Sequence, residues 1–119
     1  MPVLSNGSKF VTHAVALTTT SDTDVYTVPN NFSSHVEHLL ITNNDSSNRN
    51  YTLKFYQADT ATTYTLFSSH AVIGKGSESV FTIDKPLYIH QGDKLIVTAG
   101  TVDTLTVVVA AEEFFDPTR

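Results

Sequence analysis

The stretch Lys85–Ala99, KPLYIHQGDKLIVTA, constrains this chain more than any other. It sets two apolar runs, Leu87–Ile89 and Lys94–Ala99, on either side of Gln91-Gly92-Asp93. Glycine reaches φ > 0 without steric cost and an aspartate side chain bonds neighbouring backbone, so these three residues predict a tight turn. The two runs are therefore expected to pair as a hairpin. Pro86 has no backbone donor and suits the first residue of a strand or an edge. Leu105–Ala111 (LTVVVAA) is the most continuously apolar run and is expected to lie beside that hairpin.

The rest of the chain repeats the same kind of signal. From Lys9 the residues alternate, with Val11, His13, Val15 and Leu17 on the more apolar face and Phe10, Thr12, Ala14 and Ala16 opposite. Val25–Val28 is a short strand closed by Pro29. Ser34–Thr42 is expected to carry His35, Glu37, Leu39 and Ile41 on one face and Val36, His38 and Leu40 on the other, with its second half central in a sheet. Tyr51, Leu53 and Phe55 point inward in the next strand, and Thr62–Phe67 returns as its hairpin partner after Gln57–Ala61. His70–Ile73 and Ser79–Ile83 read as two further strands around a hairpin turn at Gly74-Lys75-Gly76. No window of helical length shows a 3.6 period. Eight or nine short strands at this spacing predict an all-β fold, an antiparallel β-sandwich with Greek-key or jelly-roll-like connections and essentially no helix; a closed barrel is the second choice.

A chain of 119 residues is read as one domain. Its expected divisions are a flexible arm at 1–8, the sandwich at 9–112 and a tail at 113–119. The absence of cysteine excludes thiol catalysis, disulfides and zinc–thiolate sites. A net charge of −5, with seven scattered Lys and Arg, speaks against nucleic acid as a partner. No run reaches membrane-spanning length, and Met1–Phe10 has neither a basic opening nor an apolar core, so a soluble product of the cytoplasm is expected, with no membrane partner. The Asn-x-Ser/Thr triplets at Asn6, Asn31, Asn44 and Asn50 are then incidental.

Candidate chemistry finds little support. His35 and His38, three apart on a strand, are expected on opposite faces and unable to share an ion; His13, His70 and His90 fall on other strands. Asp22 and Asp24 suggest calcium, but six to eight oxygens are needed and turn chemistry explains both residues. Glu112 and Glu113 alternate across a strand and form no glycosidase pair. No Gly-x-Ser-x-Gly frame or phosphate loop occurs. No catalytic residue, metal ligand or cofactor is expected. The ends stand out instead: Val3 and Leu4 on one arm, Phe114 and Phe115 on the other, are costly to leave in water and are expected to dock on a neighbour. Asn43–Asn50 (NNDSSNRN) is the most polar loop, and Asn43, Asn44, Asp45 and Arg49 are expected contacts there.

Several runs together carry a resemblance. They are Val25-Tyr26-Thr27-Val28-Pro29, then Leu39-Leu40-Ile41-Thr42-Asn43 with its polar loop and Tyr51-Thr52-Leu53, then Pro86-Leu87-Tyr88-Ile89, Gly92-Asp93-Lys94-Leu95 and an apolar strand closing on Glu112-Glu113. Over residues 10–113 the chain resembles the small single-domain structural proteins of tailed bacteriophage virions. The resemblance implies a non-enzymatic capsid decoration or cement protein. Its partner would be the major capsid protein or another virion protein, its state a homo-oligomer with a trimer favoured, and its place the virion after synthesis in the host cytoplasm. The alternatives are a neck or tail adaptor and, from another class, a carbohydrate-binding module. A glycan would need an exposed aromatic platform such as Tyr51, Tyr56 or Tyr64; a lattice role predicts none.

Overall fold

The computed structural model describes residues 8–117, and every regular element among them is a strand. In chain order these are β1 (Ser8–Ala16), β2 (Thr23–Thr27), β3 (Phe32–Asn43), β4 (Arg49–Gln57), β5 (Thr62–Val72), β6 (Ser77–Phe81), β7 (Leu87–His90), β8 (Lys94–Ala99) and β9 (Leu105–Phe115). They form two antiparallel sheets. One runs β1-β9-β3 and is completed by β6 and β7, which lie end to end along the far edge of β3; the other runs β2-β8-β4-β5. Both sheets have open edges, so the fold is a sandwich and not a closed barrel.

The most apolar strands sit at the sheet centres. On β9, Leu105, Val107, Val109 and Ala111 turn inward, and the strand is paired along most of its length with β1 on one side and β3 on the other. On β8, Leu95, Ile96 and Val97 are all buried between β2 and β4. Tyr51 and Leu53 on β4 are buried from the second sheet, with Phe55 packed at the core's edge. Val11 and Val15 pack against the core from β1, as their alternation requires, leaving Phe10 on the outside.

The Gln91-Gly92-Asp93 turn does not make a hairpin. β7 pairs with β3 in one sheet and β8 with β2 and β4 in the other, so the turn carries the chain between sheets. Gly92 adopts φ 82, and a Cβ there would come within 2.9 Å of Ala58. The buried Asp93 carboxylate accepts from the amides of His90 (2.8 Å) and Ala58 (2.9 Å), pinning the corner to the β4–β5 turn. The expected neighbour is corrected likewise: β9 shares a sheet with β7, not with β8.

Three further expectations change. The segments 62–67 and 70–73 form one edge strand, β5, whose register shifts against β4. Gly74-Lys75-Gly76 links β5 to β6 in the opposite sheet and closes no hairpin; Gly74 passes so close to Ser46 that a Cβ would overlap its carbonyl oxygen. The expected tail at 113–119 is in part strand, since β9 continues through Glu113 and Phe114 to Phe115, opposite Ser34, Ser33 and Phe32. Residues 1–7, including Val3 and Leu4, lie outside the described residues.

Candidate functional site on the outer face of the five-stranded sheet

A bulge in β3 creates this site. The register against β9 shifts between Val36 and His38, so two residues rather than one separate the inward Val36 from the inward Leu39. The simple alternation expected for 34–42 is therefore wrong. Ser34, Val36, Leu39 and Ile41 face the core, while His35, Glu37 and His38 share the outer side. His35 and His38 are not on opposite faces.

Across the sheet, Phe10, Glu112, His35 and Tyr88 stand in one row, paired residue to residue over β1, β9, β3 and β7. Phe10 is 75% exposed and Tyr88 67% exposed at the two ends. The His35 ring stacks on Tyr88 with centroids 4.5 Å apart. Its Nδ1 is 3.9 Å from Glu37 Oε2, while its Nε2 is buried and has no hydrogen-bond partner among the described residues. Glu112 Oε2 accepts from Ser8 Oγ at 2.9 Å. Beside this row lies a shallow hollow of about 340 Å³ between Glu37, His38, Thr82, Ile83 and Ala110, where the small Ala110 leaves room.

Of the other histidines, His38 borders the hollow, while His70 and His13 lie elsewhere. His38 Nε2 is 3.1 Å from Ser79 Oγ, His70 pairs with Glu78 at 2.9 Å, and His13 packs against Tyr26. Asp22 and Asp24 are turned to cations instead of to one another. Asp22 accepts from Thr98 Oγ1 and Lys54 Nζ, which hold its carboxyl below the usual range, and Asp24 pairs with Lys94 at 3.4 Å.

The inner side of the same β9 end is polar and buried. Glu113 is 2% exposed; the Tyr26 hydroxyl donates to its Oε2 at 2.6 Å and lies 2.9 Å from Ser34 Oγ. Lys9 Nζ approaches Glu113 Oε1 at 3.9 Å from the surface. Burial first, and then the Glu113 bond, push the Tyr26 hydroxyl well above the ordinary tyrosine range. Tyr26, Ser34 and Glu113 tie β2, β3 and β9 together out of reach of solvent, with Lys9 of β1 at the rim, so the network serves the fold.

Of the residues expected to make contacts, Phe114 is exposed on the outer side near Phe10, and Phe115 packs edge-on against Phe32 at 5.8 Å while remaining exposed. Asn43 is buried; its amide donates to the carbonyls of Ser47, Val72 and Ile73, and its Oδ1 accepts from the Asp45 amide. Arg49 Nε donates to Asp45 at 2.7 Å, and Asn44 accepts from Lys75 at its carbonyl. The loop is internally cross-linked. The three tyrosines a glycan platform would need are dispersed: Tyr51 is in the core, and Tyr64, opposite Phe55, lies on the other side of the sheet from Tyr56.

The site at His35, Glu37 and Glu112 was not found from sequence. A bulge has no fixed residue signature, and Glu112 lies 77 positions from His35; only their register brings them together.

No family model and no curated protein matches the chain. Among solved structures it is similar to a chain of the disulfide-linked pili of Bacillus endospore appendages, at 10% identity and a TM-score of 0.49 over 98% of this chain and 97% of that one. It is also similar to a chain of the cyanophage Pam1 capsid asymmetric unit, at 20% identity and a TM-score of 0.47 over 97% and 91%.

Proposed function

We propose that this chain is a non-enzymatic structural subunit of a bacteriophage particle, a decoration or cement protein that binds the major capsid lattice as an oligomer. The observation that carries the reading is a set of exposed aromatics on a sheet whose inner face already completes a core: Phe10 and Tyr88 at the two ends of one row, with Phe114 near Phe10. The expectation that a lattice role leaves no aromatics exposed holds for the covered subunit, not for the free one. Large aromatic side chains left in water mark contact surfaces, and they dominate binding when a partner covers them. The strand orders β1-β9-β3-β6 and β2-β8-β4-β5 we read as a jelly-roll connection, an arrangement that capsid domains use. Phe115 would add contacts at that end, Val3 and Leu4 would add further ones, and the loop residues Asn44, Asp45 and Arg49, at the opposite end of β3, would make a separate set. Asn43, spent inside the loop, would shape them. A trimer about a symmetry axis would repeat the row three times and favour retention through multivalency.

The test is co-sedimentation with particles assembled without this subunit. Fully burying one Phe is worth about 1.5–3 kcal/mol, so each Phe-to-Ser change should weaken attachment by roughly tenfold or more. A variant carrying Phe10→Ser, Tyr88→Ser and Phe114→Ser should keep its β-type circular dichroism and no longer sediment with shells. Undiminished binding by that variant would sink the reading. Retention only at a neck or tail, with shells bare, would move the subunit to an adaptor role.

A further inference from the structure

We propose that His35, Glu37 and Glu112 form a binding site for a divalent transition-metal ion of the zinc class. One nitrogen of His35 and one carboxylate oxygen from each glutamate already lie within 4.8 Å of one another. Tetrahedral zinc, with ligands at about 2.0–2.2 Å, needs its donor atoms roughly 3.4 Å apart. The side chains would close by at most about 1.4 Å, which carboxylate rotation can supply.

Four observations point to a cation here. Two carboxylates face one another across β3 and β9, and among the described residues no Lys or Arg lies within ion-pair distance of either. His35 turns its Nδ1 toward Glu37, 3.9 Å from Oε2 and beyond hydrogen-bond length, which leaves that nitrogen placed to ligate an ion between them. The ring is already oriented by its stack on Tyr88. Ser8 Oγ bonds Glu112 Oε2, the kind of outer contact that fixes a ligating carboxylate.

The donor set selects the ion. One imidazole and two carboxylates suit zinc and its neighbours, with a fourth position for water from the adjoining hollow. Calcium prefers six to eight oxygens and is not matched. Such an ion would cross-link β3 to β9 on the sheet's outer face. This inference stands apart from the virion reading.

The experiment uses the full chain after dialysis against EDTA, titrated with ZnCl₂ by calorimetry and with CoCl₂ by visible absorption. One ion per chain is expected, with a tetrahedral Co²⁺ band and a Tm raised by several degrees; CaCl₂ should give no shift. Glu112→Gln and His35→Gln should each weaken zinc binding by about tenfold or more and remove the Co²⁺ band. His13→Gln should leave both unchanged. If either variant fails to fold in EDTA, Glu37→Gln supplies the same readout from an outward position. No zinc or cobalt binding by the wild type would overturn the site. So would wild-type affinity in the ligand variants, loss of binding in His13→Gln, or an equal response to calcium.

Discussion

At the scale of single residues, two buried acids decide how the sheets are held. Asp93 accepts two backbone amides at the corner between β7 and β8, and nothing else there replaces them. Asp93→Ala should lower unfolding free energy by about 3 kcal/mol in urea denaturation, because two amides lose a charged acceptor in a site closed to water. Glu113 depends in turn on Tyr26. Tyr26→Phe keeps the ring's packing but removes the donor, and should cost about 1.5–3 kcal/mol. Tyr26 and Tyr51 also make alkaline stability predictable. Burial is the larger cause for each, followed by the glutamate that each hydroxyl meets, and both raise the folded-state pKa. A raised pKa contributes stability that is complete below the unfolded value, near 10.0, and is lost as pH climbs through the folded value. Absorbance at 295 nm should therefore show Tyr26 and Tyr51 ionising late, together with unfolding.

Among the elements, β3 and β5 are opposites. β3 is covered along both edges and takes its outward site from one extra residue. Deleting Glu37 would remove the bulge and restore simple alternation, because Val36, His38 and Leu39 already pair in unbroken order with Ala111, Ala110 and Val109 and the inward residues stay inward. The deletion should therefore keep a cooperative thermal transition, and Glu37→Ala should change stability by less than about 1 kcal/mol. β5 is exposed from Thr63 to Ala71, one edge paired with β4 and the other open. Hydrogen exchange should find its outer-edge amides fast and those of β9 among the slowest. An open apolar edge also invites association. Leu66→Lys should reduce any self-association seen by sedimentation while leaving monomer stability nearly unchanged.

At the scale of the whole fold, 51 × 27 × 24 Å, the first and ninth strands close one sheet edge together: Ser8 stands opposite Phe114, and β9 lies between β1 and β3. Pairings so distant in sequence carry a large loop-closure cost before any contact compensates it. Refolding by stopped flow should accordingly fall in the millisecond-to-second range, far slower than a helical domain of this size. Removing residues 113–119 should also destabilise the isolated domain strongly, because Glu113 belongs to the buried network and β9 continues beyond it. A free tail would have left the melting temperature unchanged.

Much of this was legible in the chain. Alternation with a period of two is a local property, so the inward faces of β1 and β4, the all-β class and the turn at Gly92 could all be read from neighbouring residues. Local signals do not say which strands share a sheet. The Gln91-Gly92-Asp93 turn fits a hairpin as well as a crossing, and only the fit of β8 between β2 and β4 settled it. The bulge at Glu37 was equally hidden, since one unpaired residue becomes visible only against a partner strand. With it went the outer face, where His35 meets Glu112 from 77 positions away. Such a meeting is fixed by hydrogen-bond register, a relation between strands that no single strand contains.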